Sequence, residues 1–344
     1  MAISHLIPPQ LRGIVSSVPK RRFDNLADTV QFPKEDVEKV VRMAGVKARR
    51  VADDETCSSD LCRVAATELL QQLGWSPDSI DGLIFVTQSP DYFLPSTACL
   101  LHRALGLSPH CAAFDLGLGC SGYPYGLSLA TMMLQSSGYR RLLLLHGETP
   151  TRFSDQGDRS VALLFGDAGS ATALEADPEA AQRSRWTFDL QTDGTGSEDL
   201  IIRGGGYRKR FPTDPRDCFV NMNGANVFNF TIKRIPALIQ STLAAAQRSK
   251  AEVDYFIFHQ SNQFIIKHLA KKEGLPESKL PLTLGEFGSV GGPSIPLTLT
   301  QGGLQRPPDR SLSLLLLGYG VGLSWGSALI DLAPTTHLGH VEYP

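Results

Sequence analysis

The feature that most constrains this chain is a likeness between its two halves. Leu70–Ser89 reads as a helix end, a polar turn with an acidic residue and an apolar strand (SPDSIDGLIFVTQS), and Thr242–Asn262 repeats that order (SKAEVDYFIFHQSN). Aligning Ile80 with Val253 gives an offset of 173, close to half of the 344 residues. Carried forward, the offset takes Cys120 onto Pro293, inside the Gly-rich loop Gly288–Ser294. Each half therefore sets a Gly-rich loop before a helix at matched positions. Two βα units can resemble each other by chance, but the matched loops point to a duplicated α/β chain with a site between its halves.

The rest of the pattern fits. Ile80–Thr87, Cys111–Leu116, Arg141–His146 and Val161–Phe165 read as strands, and Leu61–Leu73 and Tyr125–Ser136 carry helical periodicity. Leu312–Leu317 is a further run of strand length. The strands are apolar throughout instead of alternating, which suits a sheet covered by helices on both faces. The polar, Pro-containing stretch Glu175–Ser184 separates an N-terminal half, residues 1–180, from a C-terminal half, 181–344. Gly204–Arg216, rich in Gly, Arg and Pro, reads as a surface loop or flap. The tail Pro334–Pro344 has little to anchor it and reads as mobile.

Composition removes several classes of function. With 42% hydrophobic and 20% charged residues the chain can build a core without disulfides or metals, which excludes disorder, fibres and coiled coils. Lys and Arg number 33 against 35 Asp and Glu, a net charge of −2, so no basic field recruits nucleic acid or anionic lipid. The clusters Lys47–Arg50 and Arg203–Arg210 are short and read as solvated faces. No stretch approaches the roughly 18 apolar residues of a membrane span, and Met1–Arg12 lacks the layout of a signal peptide. A cytoplasmic protein with no membrane or nucleic-acid partner is expected. Cys57, Cys62, Cys99, Cys111, Cys120 and Cys218 form no CxxC and no zinc spacing, so reduced thiols and no metal site are expected.

Three segments carry candidate chemistry. Cys120 sits in Asp115-Leu-Gly-Leu-Gly-Cys-Ser-Gly122, between an apolar strand and an apolar helix. Such an elbow puts the thiol at a helix N-terminus, where partial positive charge lowers its pKa; a buried cysteine in a tight turn fits the spacing equally well. His259 ends the strand Tyr255–Phe258, where α/β folds build sites, although a lone histidine is more often structural. Beside an activated cysteine it can act as base or as donor to a thioester oxygen. His146 is the other histidine at a strand end. Leu316-Leu-Gly-Tyr-Gly-Val-Gly-Leu-Ser-Trp-Gly326 offers backbone N–H groups to an oxyanion, or is simply a tight turn. It lacks the phosphate-loop pattern and, with Leu323 at the third glycine position, the dinucleotide fingerprint.

Together DLGLGCSG, FGDAGSATAL (Phe165–Leu174), FIFHQSN (Phe256–Asn262), GPSIPLTL (Gly292–Leu299) and GYGVGLSWGSAL (Gly318–Leu329) resemble the β-ketoacyl-ACP synthase III family of the thiolase superfamily, over a span from Gly13 to Leu329. The resemblance implies a thiolase-like, five-layered αβαβα fold of two duplicated halves, a homodimer, and acyl transfer from acyl-CoA or an acyl carrier protein onto a cysteine and then to a second substrate. No bound cofactor is implied. Residue by residue it makes Cys120 the nucleophile, His259 the family histidine, and the N–H groups of Cys120 and the Gly320–Gly322 turn, in particular Val321, the oxyanion hole. Asn262 falls at the Asn of the HQ-x-N segment that supports the site. Leu94 falls where a partner subunit's side chain approaches the acyl pocket.

Two departures qualify the resemblance. The family motif G-N-T-S-x-x-S-I-P supplies an Asn to a Cys-His-Asn set, but here Gly288-Ser-Val-Gly-Gly-Pro-Ser-Ile-Pro296 puts Ser289 at that position. Losing one well-placed oxyanion donor costs about 10²–10³ in rate, and the loss falls on decarboxylation of a malonyl group rather than on loading of Cys120. Family members that take CoA also carry an aromatic residue and arginines at its tunnel; here those places hold Lys39, Met43 and Phe264. A carrier-protein thioester, which has no adenine, is the better-matched donor. Three functions therefore compete: condensation with a malonyl- or β-ketoacyl-type thioester in a specialised fatty acid or polyketide pathway, acyl transfer to oxygen, nitrogen or a preformed carbon nucleophile without decarboxylation, and a non-catalytic partner subunit, against which intact Cys120 and His259 argue.

Overall fold

The structure, a computed structural model, describes residues 3–136, 138–179 and 184–344. A strand that is apolar at every position must be covered on both faces, and RLLLLHGE shows how this chain does it. Leu142 and Leu144 join a cluster with Leu127, Leu314 and Leu316, whereas Leu143 and Leu145 pack with Leu69, Leu83 and Leu101 on the opposite side. The same division runs through the second half: Ile257 faces the first cluster while Phe256 and Phe258 face a third, with Ile239 and Leu269.

Two sheets result. The first has the order β15 (His337–Tyr343), β2 (Gln10–Pro19), β8 (Ala168–Glu175), β7 (Arg141–Glu148), β5 (Gly82–Val86) and β6 (Ala112–Leu116). The second runs β1 (Ile3–Leu6), β9 (Trp186–Thr192), β14 (Ser324–Leu332), β13 (Leu312–Gly320) and β12 (Tyr255–Phe258). In each, one βα-unit strand lies parallel to its neighbour, β5 on β7 and β12 on β13, and that neighbour pairs antiparallel with the next. The likeness at offset 173 thus falls on equivalent strands. Two short ribbons, β3 (Arg22–Asp24) with β4 (Ala48–Arg50) and β10 (Leu200–Ile201) with β11 (Asn221–Met222), lie outside the sheets.

Helices α2 (Ser58–Leu73) and α3 (Thr97–Ala104) cover the outer face of the first sheet, and α6 (Gly224–Ala245) and α7 (Gln263–Glu273) that of the second. Between the sheets lie α4 (Gly122–Leu134) and α9 (Ser294–Gln301), each touching both. The fold is therefore the five-layered αβαβα arrangement of thiolases, and the offset carries the start of α4 onto the start of α9. The short helices α1 (Lys34–Ala44), α5 (Arg159–Ala162) and α8 (Leu284–Phe287) complete the chain.

Two expectations meet the structure differently, and a third falls outside the described residues. The 180/181 boundary lies outside the described residues; on either side of it the halves exchange end strands, β1 pairing with β9 and β15 with β2. The tail expected to be mobile is β15, held by parallel pairing from His337–Gly13 to Tyr343–Pro19, by a Ser16–His340 hydrogen bond of 2.8 Å and by the Arg50–Glu342 ion pair. Val161–Phe165 is not a strand: Asp158 caps the Ser160 N–H and starts the helical turn α5, leaving only Phe165 to bridge Ser289. The segment 204–216 is an exposed loop between β10 and β11, with Phe93 packed on Tyr207 at 5.7 Å.

Candidate active site

Gly117–Gly119 turn the chain out of β6, and Ser121 precedes the first turn of α4, so Cys120 stands at a helix N-terminus. The end of β13 packs directly on it. A Cβ on Gly318 would lie 2.9 Å from the Cys120 carbonyl oxygen, and one on Gly320 2.9 Å from Sγ. Ser121 and Ser324 share a buried 2.6 Å hydrogen bond that fastens the two turns together. The backbone N–H groups of Val321 and of Cys120 itself face the sulfur.

Cys120, Val321 and Gly322 line a cavity of about 400 Å³ whose walls include Phe153, Phe165 and Ile201. A roomier hollow of about 730 Å³ beside Pro8, Trp186 and Ala333 is lined by no cysteine or histidine. The enclosed setting pushes the Cys120 thiol up to about 12, helped by the nearby Glu148 and opposed by the two N–H groups. This reverses the direction expected from the helix terminus alone, because loss of water around the thiolate outweighs the partial charge.

His259 ends β12, with its N–H donated to Leu317 O at 2.7 Å, so that strand pairing fixes its position. Its Nδ1 lies 2.9 Å from Ser294 Oγ, which also accepts the Gln260 N–H, and the Tyr319 ring stands edge-on at 5.5 Å. Burial pushes the imidazole down to about 4, with the Gly291 backbone pulling the other way. The ring is neutral near pH 7, and Nε2 is the nitrogen left for chemistry. Among the described residues no hydrogen bond joins it to Cys120.

Ser289 is buried and pinned by its backbone: its N–H donates to Leu164 O at 2.9 Å and its carbonyl accepts from Gly166 at 3.1 Å. Its hydroxyl makes no hydrogen bond to a described residue and so does not pair with His259. Asn262 caps α7, accepting the Phe264 N–H at 2.8 Å. Leu94 is 74% exposed beside exposed Tyr92 and Phe93, away from the cavity. Phe264 is exposed too, stacked on Phe228 at 6.2 Å and beside His268. Lys39 and Met43 are exposed on α1, whose C-terminal Gly45 packs against Gln263 at the start of α7.

Sequence reasoning missed Ser294, the anchor of His259, and Glu148, a buried carboxyl lining the cavity. The signal for Glu148 was its spacing: two residues beyond His146, it falls on the same face of a strand that runs further than the leucine run suggests. Among the described residues there is no group of three or more His, Cys, Asp or Glu placed to hold a metal. No described helix is long and apolar enough to cross a membrane.

A five-layered fold that sets a half-buried cysteine at a central helix N-terminus, beneath a glycine turn and near a strand-end histidine, defines a thiolase-type acyltransferase. The family profile "3-Oxoacyl-[acyl-carrier-protein (ACP)] synthase III" matches residues 114–194, and its C-terminal counterpart matches 243–332. A putative 3-oxoacyl-[acyl-carrier-protein] synthase 3 of Campylobacter jejuni is 33% identical over 94% of this chain and 93% of its own. A β-ketoacyl-[acyl-carrier-protein] synthase III of Natranaerobius thermophilus is 33% identical over 87% of this chain and 94% of its own. The crystal structure of a 3-oxoacyl-(acyl-carrier protein) synthase from Burkholderia xenovorans LB400 superposes with a TM-score of 0.94 at 41% identity, covering 99% of both chains. The chain belongs to the 3-oxoacyl-ACP synthase III family, and it is an acyltransferase.

Proposed function

We propose that the chain condenses an acyl group, taken from acyl-ACP or acyl-CoA as a Cys120 thioester, with a malonyl- or β-ketoacyl-type thioester in a specialised pathway, working as a cytoplasmic homodimer. The observation that carries this is the sulfur of Cys120 at the foot of an apolar cavity with two backbone N–H groups facing it. Cys120 attacks the thioester carbon, and the Cys120 and Val321 N–H groups stabilise the oxyanion. Gly320 and Gly322 keep that turn close, and His259, neutral and held by Ser294, donates from Nε2 to the second substrate's carbonyl oxygen. Exposed Tyr92–Leu94 is the lip offered to a second subunit, and Phe264, exposed on α7 where CoA users carry an arginine, favours a carrier protein over CoA.

The Ser289 hydroxyl, unengaged with His259, favours a second reading in which the acyl group passes to oxygen, nitrogen or a preformed carbon nucleophile without decarboxylation. Intact-protein mass spectrometry separates the two. The protein is incubated with acyl-CoA and acyl-ACP thioesters, then with malonyl thioester, while released carbon dioxide is measured. An adduct, absent in Cys120→Ala, that malonyl thioester discharges with carbon dioxide supports condensation. An adduct that malonyl thioester leaves in place supports the second reading, and an adduct persisting on Cys120→Ala refutes both.

A further inference from the structure

The inward face of β7 reads Leu142, Leu144, His146, Glu148: two core leucines, then two titratable groups as the strand reaches the cavity. His146 is fully buried, its ring against the position a Cβ on Gly292 would occupy, behind the loop and out of the cavity. Glu148, 3% exposed, reaches the cavity and lines it with Cys120. The Gln88 N–H donates to its Oε1 at 2.8 Å and the Ser89 hydroxyl to its Oε2 at 2.9 Å. Gly291 passes over its stem, where a Cβ would lie 3.3 Å from Cγ.

Those two hydrogen bonds need only acceptors. A glutamine in the same place could accept at least one of them without the cost of burying an acid, and among the described residues no cation pairs with Glu148. The titratable groups around it are the Cys62 thiol behind Gly147, Cys120 across the cavity and neutral His146 on its own strand. Burial holds the carboxyl up at about 8, opposed by the Gln88 and Ser89 donors, in the range where one group both takes and returns a proton near neutral pH. Cys120 needs such a group, because its thiol is protonated and His259 is too weak a base.

We propose that Glu148 is the proton-transfer residue of acyl loading: its carboxylate takes the proton of Cys120 Sγ–H as sulfur attacks the thioester carbon, and returns it to the thiolate that leaves. The Cys120 S–C bond forms, the donor's C–S bond breaks, and the proton ends on the departing thiol, with nothing else consumed. This rests on the reading of Cys120 as the acyl carrier.

Two reactions of the same sulfur test it. Alkylation by iodoacetamide needs a thiolate but expels iodide, which takes no proton; acylation by acetyl-, hexanoyl- or decanoyl-CoA, or by the corresponding acyl-ACP, expels a thiolate that does. In Glu148→Gln, acylation of Cys120, which loses both the removal and the return of the proton, should fall roughly 100-fold, while alkylation, which loses only the removal, should fall clearly less. Glu148→Asp should recover part of the acylation rate. Acylation within about threefold of wild type, or alkylation falling as far as acylation, overturns the proposal. Should the Gln variant not fold, the wild-type profile decides: acylation must level off near pH 8 while alkylation keeps rising, and parallel profiles overturn it. If no donor acylates Cys120 although iodoacetamide labels it, the acyl-carrier reading has failed and the proposal falls with it.

Discussion

Gly320 has no side chain because Cys120 occupies the space: a Cβ there would stand 2.7 Å from the cysteine Cβ and 2.9 Å from its sulfur. Contacts under about 3 Å between carbon and a packed neighbour force something to move, and here both neighbours belong to the reacting group. Gly320→Ala should therefore lower acylation of Cys120 by about 100-fold or more, while costing about 1–3 kcal/mol of stability as an overpacked site. Acylation by mass spectrometry and denaturant unfolding measure the two effects; a fully active Ala variant would show that the turn can withdraw from the sulfur.

Ser294, the first residue of the central helix α9, acts on His259 from within the same half of the chain. Its hydroxyl serves both Nδ1 and the Gln260 N–H, so Ser294→Ala leaves two buried polar groups without a partner. A loss of about 1–3 kcal/mol is expected for each unsatisfied group. The kinetic signature should be selective: discharge of acyl-Cys120 by the second substrate slows about 10-fold or more as Nε2 loses its aim, while loading, which does not use His259, changes little. Equal slowing of both steps in single-turnover experiments would show that the histidine serves loading as well.

The architecture was legible because its signals were long and repeated. An apolar strand after an amphipathic helix and a Gly-rich loop before a helix occur twice, at one offset, and the fold puts both copies at equivalent places. Short elements were not legible. Val161–Phe165 has the composition of a strand, but Asp158 with the Ser160 N–H is a helix start, and a local cap decided four residues that apolarity could not. His337–Tyr343 looked unanchored because its partners, Gly13–Pro19, lie at the far end of the chain, and only tertiary pairing makes it a strand. At the site, Cys120 and the glycine turn could be read from the spacing of glycines around them. The charge state of Cys120 could not, since it depends on how much water the assembled cavity admits.

Ser289 is held by main-chain bonds to Leu164 and Gly166, which an asparagine in its place can still make. Ser289→Asn adds an amide donor on the segment next to the cavity wall at Phe165. If a missing donor limits decarboxylation, carbon dioxide release from malonyl thioester should rise toward the roughly 10²–10³ that one oxyanion donor supplies. An unchanged rate would assign the limit to the placement of this loop instead of to its residue type.

Phe264 stacks on Phe228 at the position where the family resemblance implies an arginine for CoA. Phe264→Arg places a guanidinium on the exposed face of α7 beside α1, and a charge-assisted phosphate contact contributes about 1.5–3 kcal/mol. The expected outcome is a gain of about tenfold or more in kcat/KM for acyl-CoA, with the value for acyl-ACP unchanged or lower. Equal gains for both donors would place the nucleotide elsewhere.

Buried titratable groups set how stability varies with pH, and their signs oppose one another. Burial holds His146 at about 3 and His259 at about 4, so at mildly acid pH the unfolded chain binds protons that the folded one does not, and these two groups add stability as pH rises to about 6.5. Asp167 at about 6 and Glu148 at about 8 do the reverse: the folded chain keeps protons that the unfolded one has released, so stability falls as pH rises toward each value. Between about pH 4.5 and 6 the two pairs largely offset each other. From about 6.5 to 8 Glu148 dominates, and one proton's difference lowers the unfolding free energy by about 1.4 kcal/mol per pH unit, about 2 kcal/mol over that interval. Urea unfolding at closely spaced pH values should show this decline in the wild type and a nearly flat profile in Glu148→Gln. The same decline in the variant would mean that another group carries the buried proton, and the acid beside Cys120 would then be ionised throughout.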